Sequence, residues 1–186
     1  MKKLILVGSP PASGKTFVAR KIASYLDNPV YLDKDTLIPL SKVVYTVANE
    51  PYNRDSEFFN TYIRDIEYIT AMDIAIEALG YNGNVILNAP FAKEFRDEIY
   101  LENLRQRLVS IGAELKLVWV HCSLQLIHER MIDRASDRDT WKLEHWDEYV
   151  KTKDFSIPQL AEIHVIENTT EEEVINQMEV LISKWK

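Results

Sequence analysis

A chain of 186 residues, 46% hydrophobic and 27% charged, has the length and balance of one globular domain spanning 1–186. Its formal net charge of −7 disfavours a polyanionic partner held by counterion release, so nucleic acid is not the expected ligand. The single cysteine, Cys122, excludes an internal disulfide, and no stretch approaches the roughly 18 apolar residues of a membrane span. The run Leu4–Val7 behind Lys2 and Lys3 is too short for a secretory signal and is cut by Gly8-Ser9-Pro10-Pro11, so the cytoplasm is the expected location.

In chain order, short β-type runs alternate with longer helical patterns. Lys3–Val7 reads as a strand and Lys15–Leu26 as a helix, with Phe17, Val18, Ile22, Tyr25 and Leu26 at apolar positions. Val30–Leu32 is a second strand. Thr36–Ala48 and Ser56–Leu79 follow as helices, the latter with mixed apolar spacing and an end at Gly80. Val85–Leu87, Leu115–Val120 and Ile163–Ile166 complete five strands, separated by helices over Lys93–Ser110 and Leu124–Arg134 and closed by one over Glu171–Trp185. Thr170 with three glutamates behind it supplies a helix start. Ala135–Lys142 is charged and lacks apolar periodicity. Strands alternating with helices imply a three-layer α/β sandwich around a five-stranded parallel sheet, with ligands outside the carboxyl ends of the strands.

The first strand runs into Gly8-Ser9-Pro10-Pro11-Ala12-Ser13-Gly14-Lys15-Thr16, and a helix then begins. Small residues let backbone N–H groups curl around a phosphate, and the helix N-terminus adds donors and partial positive charge. The backbone of Ala12, Ser13, Gly14, Lys15, Thr16 and Phe17 is therefore the expected phosphate cradle. Lys15 reaches the β- and γ-phosphates, and the Thr16 hydroxyl is placed for Mg²⁺. The motif departs from its usual form: Ser9 stands where the first glycine belongs, Gly8 lies one residue earlier, and two prolines remove N–H donors. A plain strand–turn–helix corner is the alternative reading.

On these motifs the chain resembles the P-loop kinases related to adenylate, shikimate, polynucleotide and chloramphenicol kinases and to zeta toxins. That resemblance implies ATP with Mg²⁺ as cofactors and transfer of a phosphoryl group to a small-molecule acceptor. It also assigns roles to Asp33 and Asp35 in Val30-Tyr31-Leu32-Asp33-Lys34-Asp35-Thr36-Leu37, where Asp35 is the expected base for an acceptor hydroxyl and Asp33 assists with metal-bound water. The alternative is that Asp35 caps the next helix and Asp33 is a turn residue. No arginine follows this aspartate, which disfavours the polynucleotide-kinase substrate. Asn88 stands at the end of the third strand, where relatives often hold magnesium through an aspartate. It can orient a water or cap a loop.

Arg130 and Arg134, four apart on one helical face, resemble the arginine pair that opens the lid of such kinases near 130–145. They are expected to contact nucleotide and to neutralise charge developing in transfer, with Arg138 a further candidate. Pairing with Glu129, Asp133 and Asp137 on a solvated helix is the alternative. Asn168 follows the fifth strand, where relatives pass near the adenine, or else it caps the last helix with Thr169 and Thr170. Tyr45, Tyr52, Phe58, Phe59 and Tyr62 occupy the region where relatives bind acceptor, and Arg54 and Arg64 could hold an anionic one. Trp141, Trp146 and Tyr149 are expected to pack a helix rather than stack a ligand. No Asn-Lys-x-Asp run marks guanine specificity. A nucleotide-binding or slowly hydrolysing module without an acceptor is the competing function, and a nucleic-acid end kinase the third. The acceptor and the oligomeric state stay open at this level.

Overall fold

The computed structural model describes residues 1–185, without the side chain of Arg138. Five strands form one sheet: β1 (Lys2–Gly8), β2 (Val30–Asp33), β3 (Asn84–Asn88), β4 (Ala113–His121) and β5 (Ile163–Glu167), ordered β2-β3-β1-β4-β5, and every pair is parallel. The central strand β1 reads as an unbroken apolar run because both its faces are covered. Leu4 and Leu6 point into one core with Leu87, Leu117 and Trp119, and Ile5 and Val7 into the other with Ile86, Val118 and Val120.

The first face is covered by α3 (Arg64–Ala78) and α4 (Glu98–Val109), the second by α1 (Lys15–Ser24) and α8 (Glu171–Ser183). Helix starts follow the capping rules. Asp97 accepts the N–H of Tyr100, Ser123 that of Leu126 and Thr170 that of Glu173, with three glutamates in the first turn of α8. Helix α1 has no side-chain cap. It begins at Gly14, whose φ is 85°.

Three stretches differ from the sequence expectation. The helix expected from Thr36 starts as a 3₁₀ turn over Lys34–Leu37 and becomes α2 only at Ile38–Ala48. The cap is Asp33, which accepts the N–H of Asp35 at 3.0 Å, not Asp35. The helix expected over 56–79 contains a π turn at Phe59–Ile63 before α3, which accounts for its mixed apolar spacing. The charged segment 135–142, which shows no apolar periodicity, is partly helical. After α5 (Leu124–Arg134) come a 3₁₀ turn at Asp137–Asp139, α6 (Thr140–Glu144) and α7 (Trp146–Thr152). These pack Trp141, Leu143 and Trp146 against a buried group of Ile127, Met131 and Tyr149, so the aromatic stretch is structural. Cys122 is buried in the same group, and burial pushes its thiol up from the usual value. Among the described residues no helix is long and apolar enough to cross a membrane.

Candidate active site

The loop 9–14 leaves the carboxyl end of β1 at the middle of the sheet. Gly8 lies in a tight space: an added Cβ would stand 3.0 Å from the Phe95 ring and 3.1 Å from the Pro90 carbonyl, so either neighbour would have to give by a few tenths of an ångström. Ser9, in the usual first-glycine place, is fully buried; its N–H donates to Pro90 O at 3.0 Å and its hydroxyl to Pro10 O at 2.7 Å. Ala12 adopts φ 62° and Gly14 φ 85°, so the loop turns twice through the left-handed region and curls its backbone.

Two expected nucleotide contacts brace this curl from outside. Asn168 donates from Nδ2 to Ser13 O at 2.8 Å, and its own N–H donates to His121 O at 2.8 Å. Arg130 spans Ser13 O (3.3 Å) and Asn168 O (3.0 Å) and lies 3.7 Å from the Cys122 sulfur. A Cβ on Gly14 would fall 2.0 Å from the Asn168 amide. The cap of α8 is Thr170, which leaves Asn168 to the loop. Phe17 packs against the second core, with the Lys21 ammonium 5.7 Å from its ring centre.

The ends of β2 and β3 bring the next group together. Asn88 Nδ2 donates to Asp33 Oδ2 (2.8 Å) and Thr16 Oγ1 (3.0 Å) and lies 3.2 Å from the Tyr31 hydroxyl. Tyr31 also donates to Asp33 at 3.2 Å, and burial, then the Asp33 charge, raises its pKa. Asn88 Oδ1 is buried and has no partner among the described residues. Thr16, Asp33 and Asn88 offer hard oxygen atoms, which suits Mg²⁺. Among the described residues no cluster of three His, Cys, Asp or Glu side chains is placed to hold a metal alone. Such a site would leave most coordination positions to water and phosphate.

Asp35 faces the other way. It lines a cavity of about 640 Å³ with Lys15, Pro10, Pro11 and Arg134 at one part and Lys34, Arg54, Phe59, Arg64, Tyr68 and Tyr149 among the rest of its lining. The floor is an ion cluster absent from the sequence reading. Glu67, buried on α3, accepts two hydrogen bonds from Arg54 (2.8 and 2.6 Å), one from Lys34 (2.6 Å) and one from the Ser41 hydroxyl. Burial pushes the Glu67 carboxyl up, but Arg54 and Lys34 more than offset this and hold it below the usual value. Lys34 Nζ is also 3.6 Å from Asp35. Arg54 lies 4.4 Å over the Phe59 ring, and Arg64 pairs with Glu94 at 2.7 Å. Of the aromatic candidates, Tyr45 and Phe59 are buried with Ile63 in a small core of their own, flanked by Tyr52 and Phe58, while Tyr62 is exposed.

The two arginines expected to open a lid separate in position: Arg130 grips the loop, and Arg134 lines the cavity while its Nε donates to Asp139. The side chain of Arg138 lies outside the described residues. Sequence reasoning missed Glu67, Lys34 and Asp139. A charged residue between Ile63 and Ala71 on the buried face of α3 is the one signal that could have marked Glu67.

A parallel sheet ordered 2-3-1-4-5, with a curled loop leaving its central strand into a helix N-terminus, is the architecture of a P-loop kinase. Residues 4–154 match the AAA domain family, and the chain belongs to it. No curated protein matches. Solved structures with similar folds include a gluconokinase from Sinorhizobium meliloti 1021 (16% identical, TM-score 0.59, covering 99% of this chain and 95% of that one). Kti12 of Chaetomium thermophilum, solved with ADP-AlF3, is 15% identical with a TM-score of 0.56 and 97% of each chain covered. A shikimate kinase from Bacteroides thetaiotaomicron is 16% identical with a TM-score of 0.52, covering 99% and 98%.

Proposed function

We propose that the protein is a kinase that moves the γ-phosphoryl group of ATP onto a hydroxyl of a small molecule. One observation carries this reading: Lys15 of the phosphate loop and the carboxylate Asp35 line the same cavity, with Arg134 on its wall. In this reading the N–H groups of the loop over 12–17 hold the phosphates and Lys15 draws off charge from the γ-phosphoryl group. Asp35 orients the acceptor hydroxyl and takes its proton as the new oxygen–phosphorus bond forms and the bond from the γ-phosphorus to the bridging oxygen breaks, releasing ADP. Arg134 meets charge developing on the phosphoryl oxygens, and Arg130 with Asn168 keeps the loop in shape. Magnesium, when bound, neutralises phosphate charge; Thr16 would hold it directly, and Asp33 and Asn88 would orient its water.

The acceptor is a small hydroxylated molecule carrying negative charge. Among the described side chains, nine basic and three acidic ones line the cavity, and the rings of Phe59, Tyr68, Tyr149 and Phe155 supply apolar wall. Likeness to a gluconokinase and a shikimate kinase fits an acceptor of that size. The second reading, a nucleotide-binding module with slow hydrolysis, is favoured by Asn88, since an amide supplies no charge to the metal, and by the altered loop start, with Ser9 in the first-glycine place.

ATP consumption measured across hydroxylated acids, sugar phosphates, nucleosides and amino sugars separates the two. An acceptor is expected to raise turnover, and Asp35→Asn to remove that rise by about 10²–10⁴-fold with ATP still bound. Unchanged turnover in Asp35→Asn would remove Asp35 as base. No acceptor-dependent rise with any compound would favour the hydrolysing module.

A further inference from the structure

Asp139 ends the 3₁₀ turn before α6 and is completely buried. A carboxylate in that position requires cations around it. Its Oδ2 accepts from Arg134 Nε, and Lys142 Nζ stands 3.5 Å from its Oδ1. Lys142, buried as well, is 3.2 Å from Asp55 on the loop before the π turn, and Asp55 also meets Lys153 at 3.3 Å. Alternating charges thus run from the end of α5, through the lid, to the acceptor side of the cavity.

Arg134 uses only its inner nitrogen in this chain. Neither Nη group has a partner among the described residues, and the side chain lines the cavity shared by Lys15 and Asp35. A guanidinium fixed through Nε has its plane set, and its outer fork keeps the parallel donors that match phosphoryl oxygens. Stability alone is a poor reason for this pairing, because a buried ion pair is often matched by apolar residues of equal volume. Orientation of a group that must meet charge in the transition state is a better one.

Resting on the kinase reading above, we propose that Asp139 is a positioning residue that aims the Arg134 fork at the transferring phosphoryl group, with Lys142 and Asp55 bracing it from the acceptor side. The test compares affinity for ADP alone with affinity for ADP plus aluminium fluoride, both with Mg²⁺, in the full chain. Aluminium fluoride stands in for the phosphoryl group in flight, so the ratio of the two affinities reads that group alone. The unaltered protein is expected to bind the fluoride complex more tightly. Asp139→Asn is expected to shrink that preference by about 10-fold or more, with ADP affinity held within about 2-fold. Arg134→Gln should do the same, and the double variant should lose no more than either single one.

Asp139→Ala, which removes the carboxylate without adding bulk to a fully buried site, serves as the second variant should the amide not fold, with the same expectation. A lowered melting temperature with the preference intact in either Asp139 variant overturns the proposal, as do losses that add in the double variant. If the unaltered protein shows no preference for the fluoride complex, the kinase reading itself falls and this role with it. A preference in the unaltered protein that survives at Asp139 removes this role and leaves the kinase reading standing.

Discussion

The phosphate corner and the acceptor wall meet in one cavity, yet different forces hold them. At the corner, carbonyl oxygens accept from an amide and a guanidinium: Ser13 O from Asn168 and Arg130, and Asn168 O from Arg130. The loop is shaped by two left-handed residues and needs no carboxylate. At the acceptor wall, buried carboxylates hold cations in place: Glu67 with Lys34 and Arg54, and Asp139 with Arg134 and Lys142. In the proposed kinase the corner recognises a constant group, which backbone donors can fit with little help from side chains. The wall would face the part of that reaction that varies, and there the chain sets charge by pairing distant residues.

The largest effect is expected where a carboxylate is removed from the wall. Glu67→Gln leaves Lys34 and Arg54 buried without their counter-charge and should cost about 3–5 kcal/mol of stability, read by urea unfolding. The loss should shrink with acid. The Glu67 pKa is depressed in the fold, so its contribution is fully present above the ordinary value of 4.5 and is lost as pH falls through the lower folded value. Equal losses for Glu67→Gln at pH 7 and well below the ordinary value would break the contrast drawn here.

At the corner the expected effect falls on ligand rather than fold. Gly14→Ala puts a Cβ 2.0 Å from the Asn168 amide at a φ of 85°, so the loop must shift, and nucleotide affinity should fall on the order of 100-fold. Calorimetric titration with ATP and Mg²⁺ checks this, and unchanged affinity would mean that the curl is not the cradle. The smallest effect is expected at the seam between the two regions. Asn88→Asp replaces the donor to Asp33 with a second carboxylate and should cost about 1–2 kcal/mol without Mg²⁺. Added Mg²⁺ should restore part of that loss in thermal unfolding.

This division of forces also decides what the sequence makes legible. The alternation of strands and helices, the parallel sheet and the Gly14-Lys15-Thr16 corner can be read directly, because each rests on local periodicity or on contiguous residues. The cap at Thr170 is local in the same way, whereas the one at Asp97 splits a helix expected to run unbroken over Lys93–Ser110. The floor around Glu67 is not local, since it pairs residues 13 and 33 positions apart. Nor is the work of Arg130, whose partners Ser13 and Asn168 lie 117 and 38 positions away. Spacing four apart places Arg130 and Arg134 on one face but cannot say that one grips the loop and the other borders the cavity. The 135–142 segment shows no period because it holds only a three-residue 3₁₀ turn and the start of the five-residue α6, and its apolar packing comes from Trp141 near its end and Leu143 just beyond.

The π turn at Phe59–Ile63 carries one residue more than an α-helical path of the same rise. The turn itself holds Phe59, whose ring lies beneath Arg54, and Asn60, and the segment before it, with Arg54 and Asp55, is thereby phased about 100° away from the stripe that α3 would otherwise project. Removing a single residue there would regularise the helix and swing this wall off the cavity, while Glu67 and the sheet below kept their places. A change in acceptor preference can thus come from chain length at one turn, without exchanging a single contact side chain.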